Sequence, residues 1–229
     1  MNPAASTQFD ADLTIFDLDG TLIDSKRDLV LSVNATRTFM GMSELSEETI
    51  SSYVGNGAPV LIQRAIGEGA PQEEVDRALE YFLGYYKIHK LDNTRLYPGV
   101  QEALDCLRGE GVQLAILTNK PVGASHGIVQ GLGLDGYFLR IYGGNSFAAK
   151  KPDPIGIETL LIDSGTPRER TVMVGDSHVD IETARNARVA ACGVRYGFQP
   201  DSFHRAEPDA IYDDLRDLAE IIISTRRLR

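Results

Sequence analysis

Short apolar runs alternate with longer segments of helical periodicity along most of this chain. Six runs have strand character, at 13–17, 113–118, 139–142, 171–175, 190–195 and 210–212. Five segments have the helical period, at 100–109, 123–132, 155–164, 178–187 and 213–225. Consecutive parallel strands are joined by right-handed crossovers, usually through a helix. The alternation therefore predicts an α/β fold with a mostly parallel sheet that helices cover on both faces.

The segment between about residues 24 and 96 breaks this alternation. Strand signals disappear there, and apolar residues such as Val30, Val33 and Leu61 recur at helical spacing. So much helix exceeds what one crossover needs. We therefore predict an all-helical cap domain at 24–96, inserted into a core domain formed by 1–23 and 97–229. The alternative is a long crossover that has no independent motion.

The first apolar run ends in an acidic pair, within the segment 16–21 that reads Phe-Asp-Leu-Asp-Gly-Thr. Side chains alternate along a strand, so Asp17 and Asp19 project in the same direction where the strand ends. Two neighbouring carboxylates repel each other unless a cation lies between them or one of them keeps a proton. The pair therefore indicates a metal site or an acid–base site. The alternative is an ordinary acidic turn, which Asp-Gly-Thr also favours.

Polar groups in three later segments extend this pattern. Thr118-Asn119-Lys120 ends one apolar run, Asp176 and Asp180 follow another, and Lys151 lies between these two segments. Ligands of parallel α/β sheets bind at the carboxyl ends of the strands, where groups distant in sequence meet. These segments are therefore predicted to form one site with the acidic pair. Taken alone, the segment at 176–180 is also typical of a helix N-cap.

The four segments, in this order and with these gaps, resemble the motifs of the haloacid dehalogenase-like (HAD) superfamily of phosphohydrolases. The resemblance covers about residues 13–212. Asp24-Ser25, the segment 54–61 and the segment 151–154 also resemble the phosphoglycolate phosphatase branch of that superfamily. The resemblance implies a Rossmann-like three-layer core with an inserted small all-helical cap, and it implies phosphatase activity.

Roles for the acidic residues follow from this resemblance. Asp17 matches the family's nucleophile, which attacks phosphorus and forms an aspartyl-phosphate. Asp19 matches the general acid and base. The implied cofactor is Mg²⁺, bound by Asp17, the backbone carbonyl of Asp19 and Asp176. Asp180, one helical turn after Asp176, is expected to ligate the metal either directly or through water.

The implied phosphate-binding residues are Thr118, Asn119 and Lys151. The Thr118 hydroxyl and the backbone N–H groups of Leu18 and Asn119 are expected to bind phosphoryl oxygens. Lys151 is expected to neutralise charge on the transferring group, and it is preferred over Lys150 because Pro152 follows it, as in the family pattern.

The cap is expected to select the substrate. Gly55, Asn56 and Gly57 form a flexible loop, the kind of element that closes over an active site. If the substrate carries a carboxylate, a cation must meet it, and Arg64 is the nearest cap arginine, on the following helix. The alternative is that Arg64 is a solvated helix residue.

Composition limits the classes of partner. The chain has 33 acidic residues against 23 Lys and Arg, which gives a net charge of −10. This charge and the lack of a basic run argue against nucleic-acid binding.

The sequence has no signal peptide pattern and no apolar run of transmembrane length, so we expect a cytoplasmic protein that binds no membrane. Cys106 and Cys192 are expected to be small buried hydrophobes, because two cysteines cannot form a disulfide scaffold.

These observations predict a Mg²⁺-dependent phosphatase of a small phosphorylated metabolite, with phosphoglycolate as the favoured substrate and a monomer or homodimer as the assembly. The alternatives are a phosphatase of a sugar phosphate, nucleotide or pyrophosphate, a phosphomutase, and a catalytically silent binding module. A dehalogenase is disfavoured because Asp19 supplies an acid that such enzymes lack. A phosphonate hydrolase is disfavoured because the cap has no lysine between Asp28 and Tyr86.

Overall fold

The computed structural model describes residues 9–228. Its strands are β1 (Leu13–Phe16), β2 (Ile23–Asp24), β3 (Arg95–Leu96), β4 (Gln113–Leu117), β5 (Arg140–Tyr142), β6 (Thr171–Gly175), β7 (Ala190–Val194) and β8 (Ala210–Tyr212). Its α-helices are α1 (Lys26–Phe39), α2 (Glu47–Tyr53), α3 (Ala58–Ile66), α4 (Gln72–His89), α5 (Val100–Gly109), α6 (Val122–Gly131), α7 (Ile155–Ser164), α8 (His178–Ala187) and α9 (Leu215–Arg226). The predicted core strands and helices are all present, and their bounds differ from the predictions by one or two residues.

Six strands form one parallel sheet in the order β5-β4-β1-β6-β7-β8. β1 lies near the centre, where Leu13 pairs with Gln113 of β4 and with Thr171 of β6. Side chains of β1 alternate between two apolar layers. Leu13 and Ile15 share a buried cluster with residues of α7 and α8, and Phe16 shares another with residues of α5, α6 and α9. The sheet is therefore covered on both faces, which confirms the predicted three-layer, Rossmann-like α/β core.

Four helices, α1 to α4, lie between β1 and β4, where the sequence predicts an all-helical insertion. β2 and β3 form an antiparallel pair at the two ends of this insertion, with Ile23 opposite Leu96. The helices bury apolar side chains, among them Leu29, Val33, Ile50, Leu61 and Phe82. The same buried cluster continues into the core sheet, so the division of the chain into two domains stays a prediction.

The buried side chain of Asp28 connects the two ends of the insertion. Its carboxylate accepts hydrogen bonds from the backbone N–H groups of Asn93 at 3.0 Å and Thr94 at 2.8 Å. It also accepts one from the Asn93 amide at 2.8 Å and one from the Thr94 hydroxyl at 2.7 Å. Asp28 lies at the start of α1 and its partners precede β3, so these bonds fasten the first cap helix to the segment that returns to the core.

The expectation that both cysteines are buried is wrong for one of them. Cys192 is buried in β7, but Cys106 is exposed. Cys106 lies on the solvent side of α5, whose buried positions are Val100, Ala103, Leu104 and Leu107. Within residues 9–228, no helix is both long enough and apolar enough to cross a membrane.

Candidate active site

Three polar residues directly follow neighbouring strands at the centre of the sheet. Asp17 follows β1, Thr118 follows β4 and Asp176 follows β6. Because these strands are adjacent and parallel, their carboxyl ends lie at the same edge of the sheet. All three residues are largely buried and line the same cavity. The fold therefore brings together the segments for which the sequence predicts a single site.

Lys151 lies between two buried aspartates. Its Nζ is 2.9 Å from Oδ1 of Asp17 and 2.6 Å from Oδ1 of Asp180. Burial disfavours the ammonium charge, but the two carboxylates outweigh this effect and raise the pKa of Lys151. Burial also raises the pKa of Asp17 to about 6, with the charge of Lys151 opposing the rise and that of Asp180 adding to it. Additional positive charge at this site would keep Asp17 ionised.

Asp19 is held by Lys120 and Ser25, for which the sequence predicts no individual role. Nζ of Lys120 lies 2.8 Å from Oδ2 of Asp19 and 3.0 Å from Oδ1. The Ser25 hydroxyl donates to Oδ1 at 2.5 Å. The signal for Lys120 in the sequence is its place directly after Thr118 and Asn119, at the end of an apolar run. These contacts hold the Asp19 carboxylate at the cavity that Asp17 also lines.

Oxygen atoms of Asp17, Asp176 and Asp180 lie within 4.8 Å of one another. Within the described part of the chain, Lys151 is the one cation ion-paired with this cluster, so three carboxylates face one ammonium group. Burial raises the pKa of Asp176 well above its ordinary value, and the charges of Asp180 and Asp17 raise it further. A divalent cation with carboxylate ligands would relieve this repulsion. The residues present therefore fit Mg²⁺.

Backbone groups hold Asp176 in place. Its Oδ2 accepts hydrogen bonds from the N–H groups of Phe198 at 2.6 Å and Gln199 at 3.3 Å. Gly20, with φ of 82°, lies against the same carboxylate, and a Cβ atom at this position would be 2.3 Å from Oδ2. Glycine is therefore required in the acidic-pair turn for two reasons, its backbone conformation and this close approach.

Asp180 makes hydrogen bonds within the protein through both carboxylate oxygens. Oδ1 contacts Nζ of Lys151, and Oδ2 accepts from the hydroxyl of Ser177 at 2.7 Å and from its backbone N–H at 3.1 Å. Ser177 is the N-cap of α8, so the alternative interpretation of residues 176–180 as a helix N-cap is also correct. The arrangement favours a supporting role for Asp180, and its ligation of the metal stays a prediction.

The predicted phosphate-binding residues lie at the site, but the Asn119 side chain has a different environment from Thr118 and Lys151. Its Nδ2 donates to the carbonyl of Gly55 at 2.9 Å and to that of Lys151 at 3.1 Å. This leaves the backbone N–H of Asn119 as the group for the predicted phosphate contact. The side chain instead joins the core to the cap.

Three core side chains donate hydrogen bonds to consecutive carbonyl groups of the cap loop, defined here as residues 54–57. The donors are Gln199 at 2.7 Å, Asn119 at 2.9 Å and Lys150 at 2.5 Å, and the acceptors are the carbonyls of residues 54, 55 and 56 in that order. Gly57 also packs on the core, since a Cβ atom there would lie 2.9 Å from the carbonyl oxygen of Asn119. The predicted flexible loop is therefore fastened over the core. We name this set of bonds the cap latch.

A cavity of about 400 Å³ lies beneath the cap latch. Gly55 and Gly57 line it, and so do apolar side chains that include Leu29, Leu61, Phe82 and Leu83. Arg64 is not among the lining residues. Its Nη1 donates to Oδ1 of Asn56 at 3.2 Å and to the carbonyl of Tyr53 at 3.4 Å. The lysines that line the cavity are Lys87, Lys90 and Lys120.

Comparison with known proteins identifies the class to which this fold and site belong. The family model for haloacid dehalogenase-like hydrolases matches residues 14–194. The phosphoglycolate phosphatase of Agrobacterium fabrum is 38% identical over 209 residues, which cover 90% of each chain. That of Haemophilus influenzae is 36% identical over 225 residues, 95% of this chain and 100% of its own. The crystal structure of a predicted phosphoglycolate phosphatase from Haemophilus somnus aligns with a TM-score of 0.87 at 35% identity, over 94% of this chain and 99% of that one.

The chain belongs to the haloacid dehalogenase-like hydrolase family. The three relatives described above carry the name phosphoglycolate phosphatase. The predicted family resemblance and the predicted enzyme class, a phosphoric monoester hydrolase, are therefore confirmed.

Proposed function

We propose that the protein is a Mg²⁺-dependent phosphatase that hydrolyses a small phosphomonoester through an aspartyl-phosphate, with phosphoglycolate as the preferred substrate. The observation that carries this proposal is the placement of Asp17 and Asp19 at one cavity with different partners. Asp17 contacts Lys151 inside an acidic cluster, whereas Asp19 contacts Lys120 and Ser25. Two carboxylates in different environments can serve as nucleophile and as acid–base group.

In the first step, an Asp17 oxygen attacks phosphorus and the bond from phosphorus to the ester oxygen breaks. Asp19 donates a proton to the leaving oxygen, which avoids release of a strongly basic alkoxide. Thr118 and Lys151 lie beside Asp17, where a hydroxyl and an ammonium group can bind the phosphoryl oxygens. Their role is to stabilise negative charge on the transferring group.

In the second step, water hydrolyses the aspartyl-phosphate. Asp19, now ionised, takes a proton from water as the water oxygen attacks phosphorus. The mixed anhydride of a carboxylate and a phosphate is itself reactive, so water can hydrolyse it. The hydrolysis regenerates Asp17 and releases phosphate. One carboxylate thus acts as acid and then as base, as microscopic reversibility requires.

Asp17, Asp176 and the backbone carbonyl of Asp19 would hold Mg²⁺, with Asp180 as the further candidate ligand. The ion supplies positive charge that offsets repulsion between the phosphate dianion and the carboxylates. Such an offset is needed here because three buried carboxylates face one ammonium group.

Phosphoglycolate is supported by the names of the relatives and by the buried cation Lys120 in the cavity. The apolar wall formed by Leu61, Phe82 and Leu83 favours, as a second candidate, an ester with a larger and less polar leaving group.

The test is phosphate release from phosphoglycolate, a sugar phosphate, a nucleotide, pyrophosphate and p-nitrophenyl phosphate, each with Mg²⁺ and with a chelator. We expect the highest kcat/KM for phosphoglycolate and no turnover with the chelator. Mass spectrometry of protein quenched in acid should locate phosphate on the peptide that contains Asp17. Phosphate release that is equally fast in the chelator would contradict the proposal.

A further inference from the structure

The cavity contains a cation and a hydroxyl group to which the two steps of the proposed reaction assign no contact with the substrate. Lys120 and Tyr86 are both buried, and Nζ of Lys120 lies 4.6 Å from the centre of the Tyr86 ring. The Tyr86 hydroxyl is buried beside Lys120, which interacts with it, but within residues 9–228 it makes no hydrogen bond of ordinary geometry. Buried polar groups without a partner are rare because they are costly. This hydroxyl therefore points to a ligand that can form a hydrogen bond.

Both groups can donate to a bound anion. An ammonium group carries three N–H donors, and Lys120 directs its observed contacts to the two oxygens of Asp19. The remaining donor lies on the side of Tyr86, close enough for the two groups to influence each other's pKa, so an acceptor bound between them would contact both. Burial raises the pKa of Tyr86 to about 12, so its hydroxyl keeps its proton at neutral pH.

Lys120 lies where a particular leaving group would place its second charge. The Asp19 carboxyl must be within hydrogen-bond reach of the ester oxygen to protonate it. Nζ of Lys120 is 2.8 Å from that carboxyl group. A carboxylate on the carbon that bears the ester oxygen is only two bonds from this oxygen, and so it falls within reach of Lys120.

We propose, building on the proposed function, that Lys120 and Tyr86 form a carboxylate subsite. The subsite selects phosphomonoesters whose leaving group carries a carboxylate on the carbon attached to the ester oxygen. Charge-assisted hydrogen bonds from this subsite favour this class strongly over esters that lack the carboxylate.

The other cations of the cap fit this task less well. Arg64 binds the cap loop and does not line the cavity. Lys87 is exposed, and Nζ of Lys90 donates to the carbonyl of Lys87 at 2.9 Å in a partly exposed position. Lys120 is the buried lysine of the three that line the cavity.

The test is the ratio of kcat/KM for phosphoglycolate to kcat/KM for ethyl phosphate, which has the same chain length without the carboxylate. Lys120→Met should lower this ratio about 10- to 100-fold, and Tyr86→Phe about 3- to 10-fold. Lys120→Met also frees Asp19 and slows both substrates, and the ratio removes this common effect. Lys90→Met and Arg64→Ala are the controls, and both should leave the ratio unchanged.

An equal loss for both substrates in Lys120→Met would overturn the subsite, because it would mean that Lys120 only positions Asp19. A lower ratio in Arg64→Ala with an unchanged ratio in Lys120→Met would also overturn it, in favour of the cap arginine.

Inhibition separates this proposal from the proposed function. The probes are 3-phosphonopropionate, in which a methylene replaces the ester oxygen of phosphoglycolate, and propylphosphonate, which lacks the carboxylate. If the wild type turns over p-nitrophenyl phosphate but not phosphoglycolate, the preferred substrate is wrong. The subsite still stands if 3-phosphonopropionate then inhibits more strongly than propylphosphonate in the wild type and loses this advantage in Lys120→Met. It fails if the two inhibit the wild type equally.

Discussion

Gln199 contacts Asp176 through its backbone and the cap through its side chain. Its N–H lies 3.3 Å from Oδ2 of Asp176, and its Nε2 lies 2.7 Å from the carbonyl oxygen of Val54. Gln199, in the segment that follows β7, thus contacts both a candidate metal ligand and the loop that covers the cavity. Gln199 therefore links the Asp176 carboxylate to the cap latch through two hydrogen bonds.

Gln199→Ala should loosen the cap latch. The variant loses the bond to Val54, while the bonds from Asn119 and Lys150 remain, so we expect kcat/KM to fall about 3- to 10-fold for a small substrate. Hydrogen exchange should become faster at residues 51–57. Gln130→Ala, on the exposed side of α6, is the control and should change neither quantity. Unchanged exchange in Gln199→Ala would argue against the latch.

Asp17→Asn should abolish turnover, by about 10⁴-fold or more, because the amide is nearly isosteric but a far poorer nucleophile. Circular dichroism should report an intact fold. Asp19→Asn should slow both half-reactions by about 10²–10⁴-fold without removing the nucleophile, so phosphorylated protein can accumulate. Activity of Asp19→Asn within a few-fold of the wild type would contradict its acid–base role.

Asp176→Asn and Asp180→Asn should differ in their Mg²⁺ dependence. Loss of a direct ligand at position 176 should raise the Mg²⁺ concentration for half-maximal activity at least about 10-fold or abolish activity. Loss of the Lys151 partner at position 180 should mainly lower kcat, with a smaller change in that Mg²⁺ concentration. Equal increases in the Mg²⁺ requirement would indicate that Asp180 ligates the metal directly.

The metal-free protein should lose stability as pH rises through the range in which Asp17 ionises. The pKa of Asp17 is raised from 3.8 to about 6 in the folded protein. Between these values the folded state binds more protons than the unfolded state, so the free energy of unfolding falls with rising pH, by at most about 3 kcal/mol from this group. Denaturant unfolding with a chelator at pH 4.5 and 7.5 measures the change.

Asp17→Asn is the reference for this measurement, because it removes the titrating group and should show a smaller loss between the two pH values. Mg²⁺ should stabilise the wild type more at pH 7.5 than at pH 4.5, since protons and the metal compete for the same carboxylates. A wild type that gains stability relative to Asp17→Asn as pH rises would contradict the raised pKa.

Asp28→Ala should destabilise the protein by about 2–4 kcal/mol, because the donors of Asn93 and Thr94 lose a buried acceptor. Burial raises the pKa of Asp28, but the hydrogen bonds from these residues outweigh burial and lower it. The stabilisation is therefore present above the ordinary pKa of aspartate and is lost as pH falls through the lowered value. Asp76→Ala, at an exposed position of α4, should change stability by less than about 0.5 kcal/mol.

The amino-acid sequence by itself determines the layered α/β core and the position of its main chemical groups. Short continuous apolar runs are typical of interior parallel strands, and their alternation with helices predicts the crossovers. Asp17, Thr118 and Asp176 each directly follow a strand. Local periodicity, which predicts the strands, and the geometry of parallel strands therefore suffice to bring these three residues together.

The tertiary structure alone decides how the cap meets the core. Lys120 pairs with Asp19 across 101 residues, Gln199 holds Val54 across 145, and Arg64 turns to the cap loop rather than to the cavity. These contacts depend on how the faces of α3 and α4 pack against the strand ends. Helical periodicity predicts which face of a helix is buried, but it does not predict which core loop that face meets or which of several lysines and arginines becomes enclosed.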